Sequence, residues 1–150
     1  MMKTNYGWLP LFLAGLCVAL FTVHTVSAEG RHAKKHRIVI EVNVEGQEAW
    51  TGILNNIENL QKALGPDRTQ IEVVAHGKGL SLLLAKEAPL TERLKRISDT
   101  GVVFAACENT MRRKNVKKED LLSFAVTVPS GITEVVLKQE AGWAYLKGGS

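Results

Sequence analysis

The chain has 150 residues, of which 45% are hydrophobic, 23% charged and 6% aromatic. This composition excludes a disordered chain and a coiled coil, and the length suits one domain rather than two. The formal net charge of +4 comes from 19 basic and 15 acidic residues. It is mild and the bases are dispersed, so we expect no nucleic-acid partner.

The first 28 residues have the three-part organisation of a secretory signal peptide. Lys3 gives a positive start, an apolar segment covers residues 9–23, and Val-Ser-Ala at 26–28 precedes the polar Glu29. The apolar segment is short for a membrane span, which needs about 20 residues. We therefore expect cleavage after residue 28, a periplasmic or secreted protein, and no membrane attachment after cleavage. The alternative is a signal that is retained as a single anchor.

The sequence has two cysteines, Cys17 and Cys107. Cys17 lies in the predicted signal peptide, and Leu16 stands before it where a lipoprotein signal requires a small residue. Cys107 is then the sole thiol of the mature protein, which excludes an intramolecular disulfide. A lone cysteine in an exported protein is buried and inert, paired between chains, or reactive.

Residues 29–36 are polar and basic, and we expect a flexible arm in front of a domain that spans residues 37–150. His32 and His36 are four residues apart and would share one face of a helix. A metal site needs more ligands and fewer neighbouring cations than this arm offers. A solvated tail is the favoured interpretation, so we assign no metal site and no cofactor. Metal binding through these histidines, or through His76 and Cys107, is the minor alternative.

Five extended segments alternate with helical ones along the domain. Because parallel neighbours need a crossover connection, this alternation predicts parallel pairing. The near-continuous apolar character of the strands agrees, since parallel sheets are covered on both faces. The predicted fold class is α/β, a three-layer α/β/α domain with a mainly parallel five-stranded sheet. The predicted strands are residues 38–42, 71–75, 102–106, 125–128 and 143–146.

The helices are predicted from apolar periodicity and end signals. Apolar residues recur at three- and four-residue steps over 50–64, and the glycine and proline at 65–66 end this helix. Pro89 is placed in the first turn of a later helix. Ser130 caps the last one, which is expected to turn Ile132, Val135 and Val136 inward. Shorter helical segments are predicted over residues 80–85, 108–113 and 117–122.

In open parallel sheets, ligands bind beyond the carboxyl ends of the strands. Asn43, His76 and Cys107 follow the first three predicted strands. If the strand order is 2-1-3, the first strand lies between the other two and the three side chains border one crevice. Asn56 flanks the apolar stripe of the first helix and is expected to reach this crevice.

Cys107 is the leading candidate for chemistry. A thiol reacts as its thiolate, so its ordinary pKa of about 8.5 must fall for reactivity at neutral pH. A strand–helix junction offers backbone N–H groups and a positive helix end, and Arg112 lies nearby, whereas Glu108 acts against ionisation. His76 is a candidate hydrogen-bond partner or acid–base group. A buried, inert cysteine and a structural histidine are the alternatives from the pattern alone.

Five short segments carry a family resemblance: LNNIENL at 54–60, VVAHG at 73–77, FAACENT at 104–110, VPSG at 128–131 and GWAY at 142–145. In their order and spacing they resemble the DsrE/DsrF-like family of sulfur-relay proteins, and most of all its small single-domain branch. The resemblance covers residues 37–147 and implies a flavodoxin-like fold and a homo-oligomer, often a trimer or hexamer. In sulfur-relay members the cysteine after the third strand carries sulfane sulfur as a persulfide, which maps to Cys107. His76, Asn56 and Asn109 match family positions without an established role.

We therefore expect an exported protein that binds or relays sulfane sulfur on Cys107, as a possible sulfurtransferase or sulfur carrier. Because the mature chain has no second cysteine, the expected partner is a protein or molecule that donates or accepts the sulfur through a thiol or persulfide. The alternative is a non-enzymatic, oligomeric binding or assembly domain with a structural cysteine. The candidate binding residues are His76, Asn43, Asn56, Asn109 and Arg112.

Overall fold

The computed structural model describes residues 1–3, 35–86 and 90–149. The predicted signal peptide beyond residue 3, His32 with most of the basic arm, and Pro89 lie outside the described residues. The chain divides into two units, Met1–Arg31 and His32–Ser150, and every element below belongs to the second. Across the described ranges, no helix has both the length and the apolar character to cross a membrane.

Strands and helices alternate through the second unit, as the sequence predicts. Three short 3₁₀ segments lie at Pro66–Arg68, Gly77–Leu83 and Lys118–Asp120, and two of them replace predicted short helices. The strands are β1 (His36–Val42), β2 (Thr69–Ala75), β3 (Val103–Cys107), β4 (Val126–Val128) and β5 (Ala144–Gly148). The α-helices are α1 (Gln47–Leu64), α2 (Thr91–Asp99), α3 (Glu108–Arg113) and α4 (Gly131–Glu140).

The five strands form one sheet in the order β4-β3-β2-β1-β5, with every neighbouring pair parallel. This confirms the predicted α/β fold class. The 2-1-3 order considered from the sequence is wrong, because β2 rather than β1 lies between the other two. Strands β1 and β2 are similarly apolar, so composition does not say which is central. The edge strand β5 pairs with β1, and its residues 144–147 are exposed.

The sheet separates two apolar clusters of unequal size, because alternate residues of a strand point to opposite faces. On the larger side, Ile38, Ile40 and Val42 of β1 pack with the buried faces of α1 and α2. On the smaller side, Val39 packs with the helix α4 residue Val135. Helices therefore cover both faces, which gives the three-layer arrangement.

Helix α4 corrects one sequence prediction. Val135 is buried as expected, but Ile132 and Val136 are 54% and 45% exposed. The inward stripe of the helix is Gly131, Val135 and Lys138, at steps of four and three residues. The apolar pattern missed this stripe because its first member is a glycine and its last a lysine.

Candidate functional site

The candidate site lies at the carboxyl ends of β2 and β3. Cys107 is the last residue of β3, and α3 begins at the next residue. The cysteine is only 4% exposed, yet it forms part of the wall of a pocket of about 470 Å³. The pocket is lined by His76, Cys107, Asn109, Thr110, Arg112, Arg113, Ser130 and Ile132.

Helix α4 brings its first amide to the cysteine. Ser130 caps the helix by accepting a hydrogen bond from the Thr133 N–H at 3.4 Å, and the next residue, Gly131, directs its own N–H to the Cys107 sulfur. A Cβ at Gly131 would lie 3.0 Å from the His76 Cβ and 3.2 Å from the Cys107 Cβ. Only glycine lets the positive end of α4 come this close to the thiol.

The Thr110 hydroxyl is oriented toward the sulfur by its other partners. Thr110 is 1% exposed. Its Oγ1 accepts the Gly77 N–H at 3.1 Å and lies 3.5 Å from an Arg113 guanidinium nitrogen. A hydroxyl has two lone pairs and one proton, so two incoming N–H groups leave the proton free to be donated. The interaction of this hydroxyl with the Cys107 thiol lowers the pKa of the thiol.

These donors lower the pKa of the Cys107 thiol. Burial raises the pKa, but the hydrogen bond from the Thr110 hydroxyl and those from the backbone N–H groups of Gly131, Thr110 and Asn109 lower it by more. The Asn109 N–H also lies 3.3 Å from the Pro129 carbonyl oxygen. The structure thus supplies what a thiolate needs in a largely buried position, namely several donors aimed at one sulfur atom.

The two arginines of α3 lie at the rim rather than against the sulfur. Arg112 donates a hydrogen bond to the Asn109 side chain and lies 3.9 Å from a Glu108 carboxylate oxygen, with about two-thirds of its side chain exposed. Arg113 contacts Thr110 instead. Hydrogen bonds at the sulfur, not the charges considered from the sequence, are what lower the pKa of Cys107.

His76 belongs to a second polar cluster on the same edge of the sheet. Its Nε2 lies 2.8 Å from Glu41 Oε1, and the Tyr145 hydroxyl donates to Glu41 Oε2 at 2.5 Å. Asn43 donates to Glu41 Oε1 at 3.4 Å. Burial raises the pKa of Glu41, but the hydrogen bonds from Tyr145 and His76 and the charges of His76 and Lys147 lower it by more. Glu41 is therefore an ionised carboxylate at neutral pH.

The structure brings His76, Asn109 and Arg112 to the Cys107 pocket, but not Asn43 and Asn56. Asn43 is exposed beside Glu41, because its strand β1 is two strands away from β3. Asn56 is exposed on α1, where the helix approaches the edge strand β5. It borders a separate, largely apolar groove of about 440 Å³, lined by Ile40, Ile53, Asn56, Asn59, Leu60, Ala63, Leu64, Leu146, Lys147 and Gly148.

Sequence reasoning did not select three residues that the structure places at the site: Thr110, Gly131 and Glu41. A signal existed for two of them. Thr110 is three residues after Cys107, the spacing at which a helix presents its first free amides and side chains to the capping position. Glu41 is a lone carboxylate inside a β-branched strand, and a charged group in such a position needs a hydrogen-bond or ion-pair partner. Gly131 gave no signal, because its role depends on the position of α4.

The metal alternative that the sequence offers within the described residues involves His76 and Cys107, which line one pocket. Among the parts of the chain that the structure describes, no group of three or more His, Cys, Asp and Glu side chains is arranged to hold a metal ion. The Nε2 atom of His76 is engaged with Glu41.

The sequence matches the DsrE/DsrF-like family over residues 34–147. The chain belongs to the DsrE/DsrF-like family. It is similar to the solved structure of MTH1491 from Methanobacterium thermoautotrophicum, a protein of unknown function, with 29% identity and a TM-score of 0.71 over 75% of this chain and 99% of that chain. The YchN protein of E. coli shares the fold, with 13% identity and a TM-score of 0.58 over 76% and 98% of the two chains. No curated protein matches the chain.

The match confirms the family resemblance given by the sequence segments, and it covers the DsrE-like domain from before β1 to near the end of β5. Cys107 of this DsrE-like domain combines a thiol of lowered pKa with a pocket that holds a histidine and polar side chains. That arrangement suits a sulfur nucleophile that exchanges with small sulfur compounds or with an exposed thiol.

Proposed function

We propose that this protein is an exported sulfur carrier or sulfurtransferase, which takes up sulfane sulfur on Cys107 as a persulfide and passes it to a second thiol. One observation carries the proposal: the Cys107 thiol borders a pocket and is surrounded by hydrogen-bond donors that lower its pKa. The thiolate is the form that attacks sulfur. Membership of the DsrE/DsrF-like family supports sulfur relay at the level of the family.

The proposed exchange needs no oxidant. The Cys107 thiolate attacks the outer sulfur of a donor persulfide, forms a new S–S bond, and breaks the S–S bond of the donor, which leaves as a thiolate. The sulfane sulfur changes carrier, and the number of thiols and persulfides stays the same. In the second half, the thiolate of an acceptor attacks the outer sulfur of the Cys107 persulfide and regenerates the Cys107 thiolate. With no second cysteine after residue 28, the acceptor is another molecule.

The same donors that act on the thiolate also suit the persulfide. They satisfy the inner sulfur in a position that is only 4% exposed, so the outer sulfur is the atom left to extend into the pocket. Arg112 and Arg113 both line the pocket, and their two positive charges outnumber the one negative charge of Glu108 beside Arg112, which favours anionic sulfur compounds. These features support a small anionic donor or a protein persulfide presented on a loop.

Export and self-association complete the proposal. The signal-like organisation of residues 1–28 supports export to the periplasm or beyond. Helix α4 exposes Ile132, Val136 and Leu137, and Ile132 also borders the Cys107 pocket. Exposed apolar residues next to a site are suited to an interface, which supports self-association of this chain. A trimer or hexamer is the size that the family resemblance implies. Sedimentation velocity at several protein concentrations measures the oligomer directly.

Mass spectrometry after exposure to polysulfide tests the sulfur site. In a Cys17→Ser background, Cys107 is the sole thiol, so the protein is expected to gain the mass of one sulfur atom. Cys107→Ser in the same background is expected to gain nothing, and dithiothreitol is expected to remove the added sulfur from the first protein. Equal labelling of the two proteins would exclude Cys107 as the site.

The 4% exposure of Cys107 favours one competing function, an oligomeric binding or assembly domain in which the cysteine is structural. Alkylation of the native protein by iodoacetamide separates the two. A thiol that reacts while the protein stays folded, with an apparent pKa below about 7.5, supports sulfur chemistry. A thiol that reacts only after unfolding supports the structural role.

A further inference from the structure

A carboxylate, a histidine and a tyrosine form a connected cluster beside the Cys107 pocket. Glu41 Oε1 lies 2.8 Å from His76 Nε2, and the Tyr145 hydroxyl donates to Glu41 Oε2 at 2.5 Å. The side chains of Glu41 and His76 are only 13% and 15% exposed. Glu41 lies in β1 and Tyr145 in β5, and His76 directly follows the last residue of β2, so the sheet places all three residues.

The cluster reaches the thiol through His76. His76 borders the pocket together with Cys107, and the Cβ atoms of both residues lie close to Gly131, at 3.0 and 3.2 Å from the position of an added Cβ. Glu41 engages Nε2 of the ring, so Nδ1 is the nitrogen that remains for a proton exchanged in the pocket. A carboxylate that holds one nitrogen fixes both the orientation and the tautomer of a histidine.

We propose that His76 is the acid–base group of sulfur exchange at Cys107, and that Glu41, itself fixed by Tyr145, is the residue that positions the His76 ring. The inference rests on the proposed function and adds the proton transfers to it. Among the described residues that line the pocket, the thiol aside, His76 has the one side chain that exchanges a proton near neutral pH. Arginine does not release its proton in proteins, and the hydroxyl and amide side chains of the pocket do not ionise in this range.

Each half of the exchange moves one proton through His76. During uptake, the donor persulfide loses its outer sulfur to Cys107, and the protonated His76 gives its Nδ1 proton to the departing thiolate, which leaves as a neutral thiol. During discharge, the neutral His76 takes the proton of the acceptor thiol at Nδ1 as that sulfur attacks the outer sulfur of the Cys107 persulfide. Glu41 keeps its negative charge throughout and stabilises the protonated ring.

A comparison of leaving groups tests this role. In the Cys17→Ser background, the rate at which Cys107 reacts with a disulfide is measured for two reagents. An aromatic disulfide releases a thiolate that leaves without a proton, whereas an aliphatic disulfide releases a basic thiolate. The measured quantity is the ratio of the aliphatic rate to the aromatic rate. An acid catalyst assists only the aliphatic reaction, so His76→Gln and Glu41→Gln are each expected to lower the ratio by about 100-fold.

Two further variants separate positioning from simple damage. Glu41→Asp keeps the charge and is expected to restore part of the ratio, and Tyr145→Phe is expected to lower it less than Glu41→Gln does. The matched control is Glu58→Gln, because Glu58 also loses an ion pair, the one with Arg93 at 2.7 Å, but lies on α1 away from the pocket. Its ratio is expected to equal that of the parent protein.

An equal slowing of both reagents, or no change in either, would overturn the role of His76. If a glutamine variant does not fold, the role of His76 is tested on the parent protein with a series of disulfides whose leaving thiols are increasingly basic. A rate that falls steeply across this series would show that no acid assists their departure. Persulfide formation is measured on the same proteins by mass spectrometry. Its absence from the parent protein refutes the proposed function, whereas persulfide with an unchanged ratio refutes only the acid–base role.

Discussion

The two ends of helix α4 each lie against a buried acidic group, but the helix contacts one group with backbone N–H groups and the other with a charged side chain. At its amino end, the Gly131 N–H reaches the Cys107 sulfur. Toward its carboxyl end, Lys138 reaches back to Glu72 of β2, with Nζ 2.5 Å from the carboxylate, and also lies 3.4 Å from Glu134. The amino end contacts its acidic group through backbone N–H groups, since the amino end of a helix carries a positive partial charge of its own. The carboxyl end lacks this positive charge, so a lysine side chain supplies it.

The same difference appears in the direction of the pKa shifts. At Cys107, hydrogen bonds outweigh burial and the pKa falls. At Glu72, burial raises the pKa, Lys138 lowers it in part, and Glu134 raises it again, so the net shift is upward. The Lys138 ammonium also stands 4.4 Å from the centre of the Trp143 ring, which helps to cover it. The amino end lies against a thiol that borders a pocket, whereas the other end forms an ion pair between the buried Glu72 carboxylate and the partly exposed Lys138 ammonium.

The largest expected effect comes from breaking the ion pair between Lys138 and Glu72. Lys138→Met keeps the length of the side chain but leaves Glu72 buried without its partner, which is expected to cost about 3 kcal/mol of unfolding free energy at neutral pH. Glu72 then takes up a proton more readily, and a raised folded pKa means stability that is present at low pH and lost as the pH rises through that pKa.

Urea denaturation at pH 7 and at about pH 4 measures this dependence. The loss caused by Lys138→Met is expected to be large at the higher pH and small at the lower one. The rate of Cys107 alkylation serves as the control, because it belongs to the other end of α4 and is expected to stay at the parent value. An equal loss of stability at both pH values would show that Glu72 does not require the lysine.

Gly131→Ala perturbs the amino end of helix α4. The new Cβ would lie 3.0 Å from the His76 Cβ and 3.2 Å from the Cys107 Cβ, so α4 must move and is expected to lose about 2 kcal/mol of stability. The N–H of its first residue then moves away from the sulfur, and the pKa of the Cys107 thiol is expected to rise because one of the contacts that lower it is weakened. Alkylation rates measured against pH report the shift.

The matched control for that substitution is Gly52→Ala. Gly52 lies in the middle of α1 with open space around the position of an added Cβ. Alanine there is expected to stabilise the protein by about 0.5 kcal/mol, since it reduces the freedom of the unfolded chain, and to leave the pKa of Cys107 unchanged. A parent-like pKa of Cys107 in Gly131→Ala would remove the helix amide from the explanation.

The sequence predicts the framework of this site better than its chemistry. The periodicity over 50–64 and the glycine after it gave α1, and the apolar strands gave a parallel sheet with Cys107 at the carboxyl end of β3. These features are local, because each depends on residues close together in the chain. The strand order is not local, and β1 and β2 are similar in sequence character. The sequence therefore does not show which of them is central, and Asn43 reaches the pocket only in the 2-1-3 order, which is wrong.

The residues that act on the sulfur show the same limit. Thr110 is three residues from Cys107, but its hydroxyl proton is directed by the Gly77 amide, 33 residues away in the chain. Glu41 and Tyr145 meet through a sheet pairing 104 residues apart. Such contacts follow from the assembled sheet, so a single sequence supplies candidate residues but not the partner that fixes each side chain.

Thr110→Val sharpens the comparison within the amino end, because it removes one side-chain donor and leaves the α4 amide in place. The pKa of Cys107 is expected to rise, because the Thr110 hydroxyl is one of the groups that lower it. The protein is expected to lose about 1 kcal/mol of stability, since the Gly77 N–H loses its acceptor. Thr110→Ser keeps the hydroxyl and is expected to preserve the pKa. If valine and serine behave alike in the alkylation profile, the hydroxyl does not act on the sulfur.

The smallest expected effect concerns the partly buried carboxylate of Glu41 and is measured by acid titration of stability. The pKa of Glu41 lies below its ordinary value of 4.5, so its contribution to stability is complete above that pH and is lost as the pH falls through the lower folded pKa. Glu41→Gln is therefore expected to lose less stability than the parent protein between about pH 5 and pH 3. Glu72 has the opposite pH dependence, but it is present in both proteins and cancels in their difference. If the stability of the parent protein and that of Glu41→Gln fall equally as the pH is lowered, Glu41 is not held by Tyr145 and His76.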